Sequence, residues 1–368
     1  MAKRRSTFRT VCITLYIICG VSVLLYIAMR LSPAVAEFMN TTVSAASRTV
    51  FALVSSIVPF SIAELLAFLA LPAAVLVIVW FVRRVKRCGA RGARRVIAFL
   101  LALISFSVSA FVINGTPGYF GRSVAGKMEL YDGDISEDDL VFACESLVYE
   151  INVAVSQGEV LVDENGATRN PYSIGETALS IERSYSDFAE VWGFPQRLFS
   201  VPKILISSPL VTYLHVSGLY SDVTGEININ LNYPDYVIVS TIAHELAHQR
   251  GVAPEDEANF MAFAVLRSSN AAYFRYCGCL DALMTCAEPL KKEDPKAYGR
   301  IMSTLCDTAK DDVNAFSEFF KKYSDSKAAE VNDKVNDTYL KSQGELGTVS
   351  YDEATELIVK YYKTGLSH

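Results

Sequence analysis

Acidic residues are almost missing from the first third of this 368-residue chain: residues 1–114 carry 13 Lys and Arg but only Glu37 and Glu64. The remainder is poor in the opposite sign. A formal charge of −17 falls on residues 115–368, while the whole chain sits at −6. No basic surface is left on the water-loving part to hold phosphate backbones, which excludes a nucleic-acid partner. The uneven split also excludes a simple cytosolic globule and a disordered chain. Gly-x-Ser-x-Gly, a phosphate loop and a dinucleotide fingerprint are all absent, so no serine nucleophile or nucleotide chemistry is signalled. From Thr116 onward there is no internal repeat, low-complexity stretch or Pro-rich linker. That part reads as one domain of about 250 residues.

Three runs, at about 11–31, 62–82 and 96–114, lack a charge in their middle. Each is close to the ~20 residues that cross a ~30 Å hydrocarbon core at 1.5 Å per residue. Ser61-Ile62-Ala63-Glu64 opens the second run in the Ser-x-x-Glu form of a capping box. The expectation is a membrane domain over 1–114 with three transmembrane helices, then an extracytoplasmic domain over 115–368. Lys3, Arg4, Arg5 and Arg9 precede the first run, and Arg83, Arg84, Lys86, Arg87, Arg91, Arg94 and Arg95 separate the second from the third. Segment 32–60 holds only Arg48. Basic flanks stay inside, so the N-terminus and 83–95 are expected in the cytoplasm, and an odd number of crossings sends the rest across the cytoplasmic membrane. Ala34-Val35-Ala36 has the small-x-small form of a signal-peptidase site, leaving cleavage before Glu37 as an alternative to an uncleaved anchor. Of eight cysteines, Cys144, Cys277, Cys279, Cys286 and Cys306 fall in the outer part. Five is odd, so at least one thiol is free or pairs between chains. The 277–286 cluster reads as a disulfide or as small apolar packing, and it lacks the second pair of a metal site.

Segments 136–157 and 176–192 have helical spacing of apolar residues among acids, as do 309–323, 326–342 and 351–362. Val201–Ser207 has the look of a short strand, and Gly225-Glu226-Ile227-Asn228-Ile229-Asn230 alternates with period two. Helices, a small sheet, then helices make the class α+β.

Within the helical stretch 236–250 lies His244-Glu245-Leu246-Ala247-His248. Two His at i and i+4 project from one helix face, so both imidazoles can converge on one cation. Glu245, at i+1, is aimed past the metal toward its open fourth position, the geometry of a general base. With four His and 22 Glu in the chain, this pattern arises by chance roughly 0.003 times per sequence of this length. Hydrolysis by zinc requires a third protein ligand. Gly251 has the character of a C′ residue that turns the chain back at once, and Glu255 and Glu257 follow it closely; both are candidate ligands. The pattern Glu255-x-x-Ala258-Asn259 resembles the second zinc helix of gluzincin peptidases. That resemblance implies Glu255 as third ligand, Asn259 as the group that orients a zinc-bound His, and Ala258 as the small residue that lets two helices approach. The metzincin pattern is not met, because its last His position is Pro254.

The alternating strand ends fourteen residues before His244. An edge strand so placed pairs with extended substrate in zincins, which makes Gly225, Glu226, Ile227 and Asn228 candidate substrate-strand residues, with Ile227 and Ile229 facing the core and Asn228 and Asn230 facing out. His215 and Tyr220 are candidates to polarise a carbonyl or stabilise an oxyanion.

The chain resembles an uncharacterised bacterial family of membrane-anchored HExxH proteins, a domain of unknown function. The matching pieces are Pro59-Phe60-Ser61-Ile62-Ala63-Glu64-Leu65, Ser217-Gly218-Leu219-Tyr220, Thr224-Gly225-Glu226-Ile227-Asn228, Ala243 to Val252, Glu255 to Phe260 and Asp337-Thr338-Tyr339-Leu340-Lys341. The resemblance implies a gluzincin-like domain on three spans and brings no substrate with it. The expectation is a membrane-anchored peptidase with one Zn²⁺ held by His244, His248 and Glu255, Glu245 as base, and an extracytoplasmic protein or peptide as substrate. The alternative is a non-catalytic sensor or scaffold with a relic zincin fold. An intramembrane protease is disfavoured, since His244 lies 130 residues past the last apolar run.

Overall fold

The computed structural model describes residues 2–192, 201–324, 326–343 and 350–365. Among the described residues the chain is mostly helical with two small sheets, and it divides into two compact units, Met1–Gly121 with Ser221–Glu226, and Arg122–Tyr220 with Ile227–His368.

In the first unit two helices, Thr7–Leu31 and Ile62–Asn114, are long and apolar enough to cross a membrane. The expected count was three. The difference arises because the chain stays helical through the basic stretch 83–95 and departs from helical geometry at Gly89, where φ is 52° and ψ −139°. The expected second and third spans thus belong to one 53-residue element. It is not straight. Trp80 meets Phe99 edge-on with ring centroids 5.6 Å apart, whereas a straight helix would separate them by about 28 Å. The chain therefore doubles back at Gly89, a backbone conformation that a Cβ disfavours. Its side chains Leu66, Phe68, Leu71, Leu76 and Ile78 are exposed, an apolar exterior suited to hydrocarbon. The helix Ala2–Leu31 lies against the returning arm, with Tyr16 Oη donating to the Ala98 carbonyl at 2.7 Å.

Segment 32–60 is largely helical, and its one basic residue is structural: Arg48 is buried and donates to Asn40 Oδ1 and the Asn40 carbonyl at 3.0 and 2.8 Å. The unit extends past residue 114 because Phe120 packs edge-on against Tyr26 at 5.6 Å. It takes in 221–226 because the buried Glu226 carboxylate accepts from the Ile62 and Ala63 N–H groups at 3.0 and 2.9 Å. Ser61 Oγ accepts from Glu64 N–H at 2.9 Å. The orphan donors of this helix start are thus shared between Ser61 and Glu226.

The second unit is built on helix Glu137–Ser156, which opens with a capping box of Ser136 and Asp139 and packs along helix Ala272–Glu293. Leu147, Ile151, Phe274, Leu280 and Leu283 are buried in the core. Strands β1 (Leu161–Val162) and β2 (Thr168–Arg169) form an antiparallel hairpin. The other sheet has β3 (Lys203–Ile204) and β4 (Gly218–Ser221) flanking β5 (Glu226–Ile229), in the order β3-β5-β4. β3 runs parallel to β5, with Lys203 opposite Asn228. The alternating segment is therefore a central strand, not an edge. Asn228 and Asn230, expected to face out, are fully buried. Their amides are satisfied internally, Asn228 donating to the Leu219 carbonyl at 3.2 Å and Asn230 to the Val216 carbonyl at 2.9 Å. Period-two alternation here separates two buried environments, one apolar and one hydrogen-bonded.

Candidate metal centre

Helix Asp235–Gln249 buries Tyr236, Ile238, Val239, Ile242, Ala243, Leu246 and Ala247 and leaves the two histidines partly open on one face. It is held from behind by helix Ile174–Trp192. Tyr185 Oη donates to the Ala243 carbonyl at 2.8 Å, and the Arg250 guanidinium sits 4.2 Å above the Tyr185 ring while pairing with Glu182. The helix ends as the sequence signals. Gly251, at φ 91°, carries the turn: its N–H donates to the His248 carbonyl at 2.9 Å, and the Val252 N–H to the Ala247 carbonyl at 3.1 Å. That is the Schellman pattern, which needs a left-handed residue at C′.

The turn has a chemical consequence. It swings the Val252 carbonyl back over His248, whose Nδ1 donates to it at 2.8 Å. With Nδ1 holding the proton, neutral His248 keeps its lone pair on Nε2. That atom lies 3.0 Å from His244 Nε2, and Glu255 Oε2 lies 3.2 Å from the first and 3.5 Å from the second of His244 and His248. Three ligand atoms converge from one helix face and the first turn of the next helix, Glu255–Arg267. A tetrahedral cation with ligands at ~2.0–2.1 Å has ligand–ligand edges of about 3.3 Å. The donor set and its spacing fit such an ion.

Electrostatics point the same way. Burial disfavours a charged His248, but the Glu255 carboxylate outweighs burial and raises the imidazole to about 10. Burial likewise pushes Glu255 up, and the two imidazoles pull it back below the ordinary carboxylate range. The trio is built to hold positive charge. Glu245 is buried beside it; burial raises its carboxyl, the imidazoles act in the opposite sense, and the Tyr220 N–H donates to it.

The other expected residues fall out differently. Glu257 Oε1 accepts from the Val124 N–H at 2.9 Å, capping the short helix Val124–Lys127, so it serves another element. Asn259 is half-buried and hydrogen-bonds to neither histidine; the orienting acceptor for His248 is the Val252 carbonyl. His215 is held by another element. Its backbone is left-handed at φ 57°, its Nε2 donates to the Tyr323 carbonyl at 2.9 Å and its ring tilts against Phe320. Tyr220 comes to the site through its amide, while its side chain packs on the core. Of the candidate substrate strand, Glu226 caps Ile62 and Ala63, and Ile227 and Asn228 are buried.

One neighbour was not foreseen. Asp281, on helix Ala272–Glu293, is pushed up to about 6 by burial and drawn down by His244. Nδ1 of His244 is buried without a hydrogen-bond partner among the described residues. No spacing rule flags Asp281, which lies 37 residues beyond His244 in a cysteine-containing stretch. Those cysteines are free thiols: Cys144, Cys277, Cys279 and Cys286 are buried, Cys306 is half-buried, and the Cys286 thiol hydrogen-bonds that of Cys144.

The family described as "Protein of unknown function (DUF3810)" matches residues 40–359. The chain belongs to this family. The matched region begins after the first apolar helix and contains the second, both sheets, and His244, Glu245, His248 and Glu255. No curated protein and no solved structure matches the chain.

Proposed function

We propose that this chain is a membrane-anchored, gluzincin-like zinc metallopeptidase that cuts protein or peptide substrates outside the cytoplasmic membrane. The observation that carries the proposal is the convergence of His244, His248 and Glu255 at 3.0–3.5 Å with the buried Glu245 beside them. His244, His248 and Glu255 would hold Zn²⁺; the bound ion supplies Lewis acidity toward a peptide carbonyl and makes water more acidic. The Val252 carbonyl keeps the His248 tautomer that presents Nε2. Glu245 takes the proton of the attacking water and passes it to the leaving amine; its burial raises its basicity for that task. The extended substrate backbone pairs with β4, an edge strand of the three-stranded sheet and the one whose Tyr220 N–H meets Glu245. This replaces the central segment 225–228.

In the membrane, the arms on either side of Gly89 each cross once, which with Thr7–Leu31 makes three crossings. The basic residues 83–95 then lie in the cytoplasm and the second unit lies outside.

The test is Glu245→Gln in the full chain, purified in detergent, with zinc content and cleavage of a mixed peptide library both measured. Gln keeps shape and hydrogen-bonding reach but cannot accept the proton. Zinc stoichiometry should stay at the parental value while cleavage falls by about 10²–10⁴-fold. Equal cleavage by parent and variant refutes the mechanism and favours a non-catalytic sensor.

A further inference from the structure

β4 presents two residues, Gly218 and Tyr220, on the side of the candidate base. The register follows from one bond: the Ser217 carbonyl accepts from the Asn230 N–H at 2.9 Å. In an antiparallel pair, backbone polar groups point toward the partner at alternate residues. Ser217 and Leu219 therefore turn theirs toward β5, and Gly218 and Tyr220 turn theirs to the open edge. There the Tyr220 N–H meets the Glu245 carboxylate.

Gly218 shares the strand face of Tyr220, because side-chain directions repeat every second residue. A Cβ at Gly218 would lie 2.5 Å from Thr241 Cγ2, 2.8 Å from Glu245 Oε1 and 3.0 Å from Glu245 Cγ. Thr241 and Glu245 stand one turn apart on the same helix, so the strand rests directly on both. Thr241 is β-branched and stiff about χ1 in a helix. The group that yields to a side chain at 218 is accordingly the longer Glu245.

We infer that Gly218 and the Tyr220 amide are positioning elements for Glu245: the missing side chain lets the carboxylate lie against the edge strand, and the amide fixes it there. The catalytic consequence rests on the metallopeptidase proposal; the contact itself does not. One strand would thus set both where a peptide pairs and how far the base stands from it. The base occupies the Tyr220 N–H, so that donor does not pair with an incoming backbone.

The experiment is hydrogen–deuterium exchange resolved to the Tyr220 amide in the full chain, which needs neither substrate nor metal. Exchange should be slow in the parent and in Glu245→Gln, whose side-chain oxygen still accepts. It should quicken by about tenfold or more in Glu245→Ala and in Gly218→Ala, as an edge amide opens to water. Gly218→Ala should keep zinc content and KM near parental values and lose about 100-fold in kcat, the cost of a base displaced by ~1 Å. Adding Thr241→Ser removes the closest methyl contact. It should restore the melting temperature of Gly218→Ala while leaving Tyr220 exchange fast and kcat low, an outcome that a merely structural role for Gly218 does not give. Equal Tyr220 exchange in parent and Glu245→Ala overturns the inference, and this comparison holds even if Gly218→Ala fails to fold. So does parental kcat in Gly218→Ala. If the exchange pattern holds while the parent cuts no peptide, the contact stands and the peptidase proposal falls.

Discussion

Replacing Glu226 separates two roles that a strand residue in this position could have. Its carboxylate is 1% exposed and accepts from two N–H groups at the start of helix Ile62–Asn114, at 3.0 and 2.9 Å. Gln keeps one acceptor oxygen and turns an NH₂ toward the other N–H. One charge-assisted bond is lost and a buried donor is left unsatisfied, together about 2–3 kcal/mol. Removing the negative charge from a helix N-terminus adds about 0.3–1 kcal/mol. The sum, about 2–4 kcal/mol, corresponds to a drop in melting temperature of about 4–16 °C at ~2–4 °C per kcal/mol. Glu226→Ala orphans both donors and should fall further. Far-ultraviolet circular dichroism melts of the detergent-solubilised full chain measure this, with zinc content as the control, which should not change. A substrate-strand role makes the opposite forecast of an unchanged melt and a raised KM. Melting of Glu226→Gln and Glu226→Ala within a degree of the parent refutes the capping argument.

Three further outcomes are expected. His244→Ala, His248→Ala and Glu255→Ala should each lose zinc by metal analysis, whereas Glu257→Gln should keep it, because Glu257 caps Val124; Asn259→Ala should cost less than the 10–100-fold in zinc affinity expected of an orienting group. Reporter fusions after Arg91 and after Asn114 should report opposite sides of the membrane; the same side for both breaks the three-crossing topology. Asp139 is held down at about 2 by Lys363 and the Ser136 cap. A lowered carboxyl stabilises the fold above its unfolded value near 4, and this contribution is lost as pH falls from there toward about 2. Asp139→Asn should therefore abolish part of the acid sensitivity in that window, read from amide exchange at the C-terminal helix.

The sequence by itself determined whatever depends on a short, local period. His244 and His248 share a face because i and i+4 always do, and Gly251 ends their helix because a left-handed C′ residue is needed. The apolar runs and the charge split, equally local, marked the first unit. Tertiary structure decided everything that depends on which face meets which. Glu255 and Glu257 both follow His248 closely along the chain, but two residues on a helix point about 200° apart, and only packing sends one to the histidines and the other to Val124. The order β3-β5-β4 put the alternating segment in the middle of its sheet, where Asn228 and Asn230 are buried with partners rather than solvated. The basic break between the two apolar arms was legible in the sequence, but not that the chain stays helical through it and departs from helical geometry at Gly89. Glu226 looks along the chain like one more strand residue, and its partners are 163 and 164 positions away. Periodicity tells which side of an element is apolar; pairing order, helix reversal and the partner of a buried carboxylate are long-range contacts chosen when the whole chain minimises its unsatisfied polar groups at once.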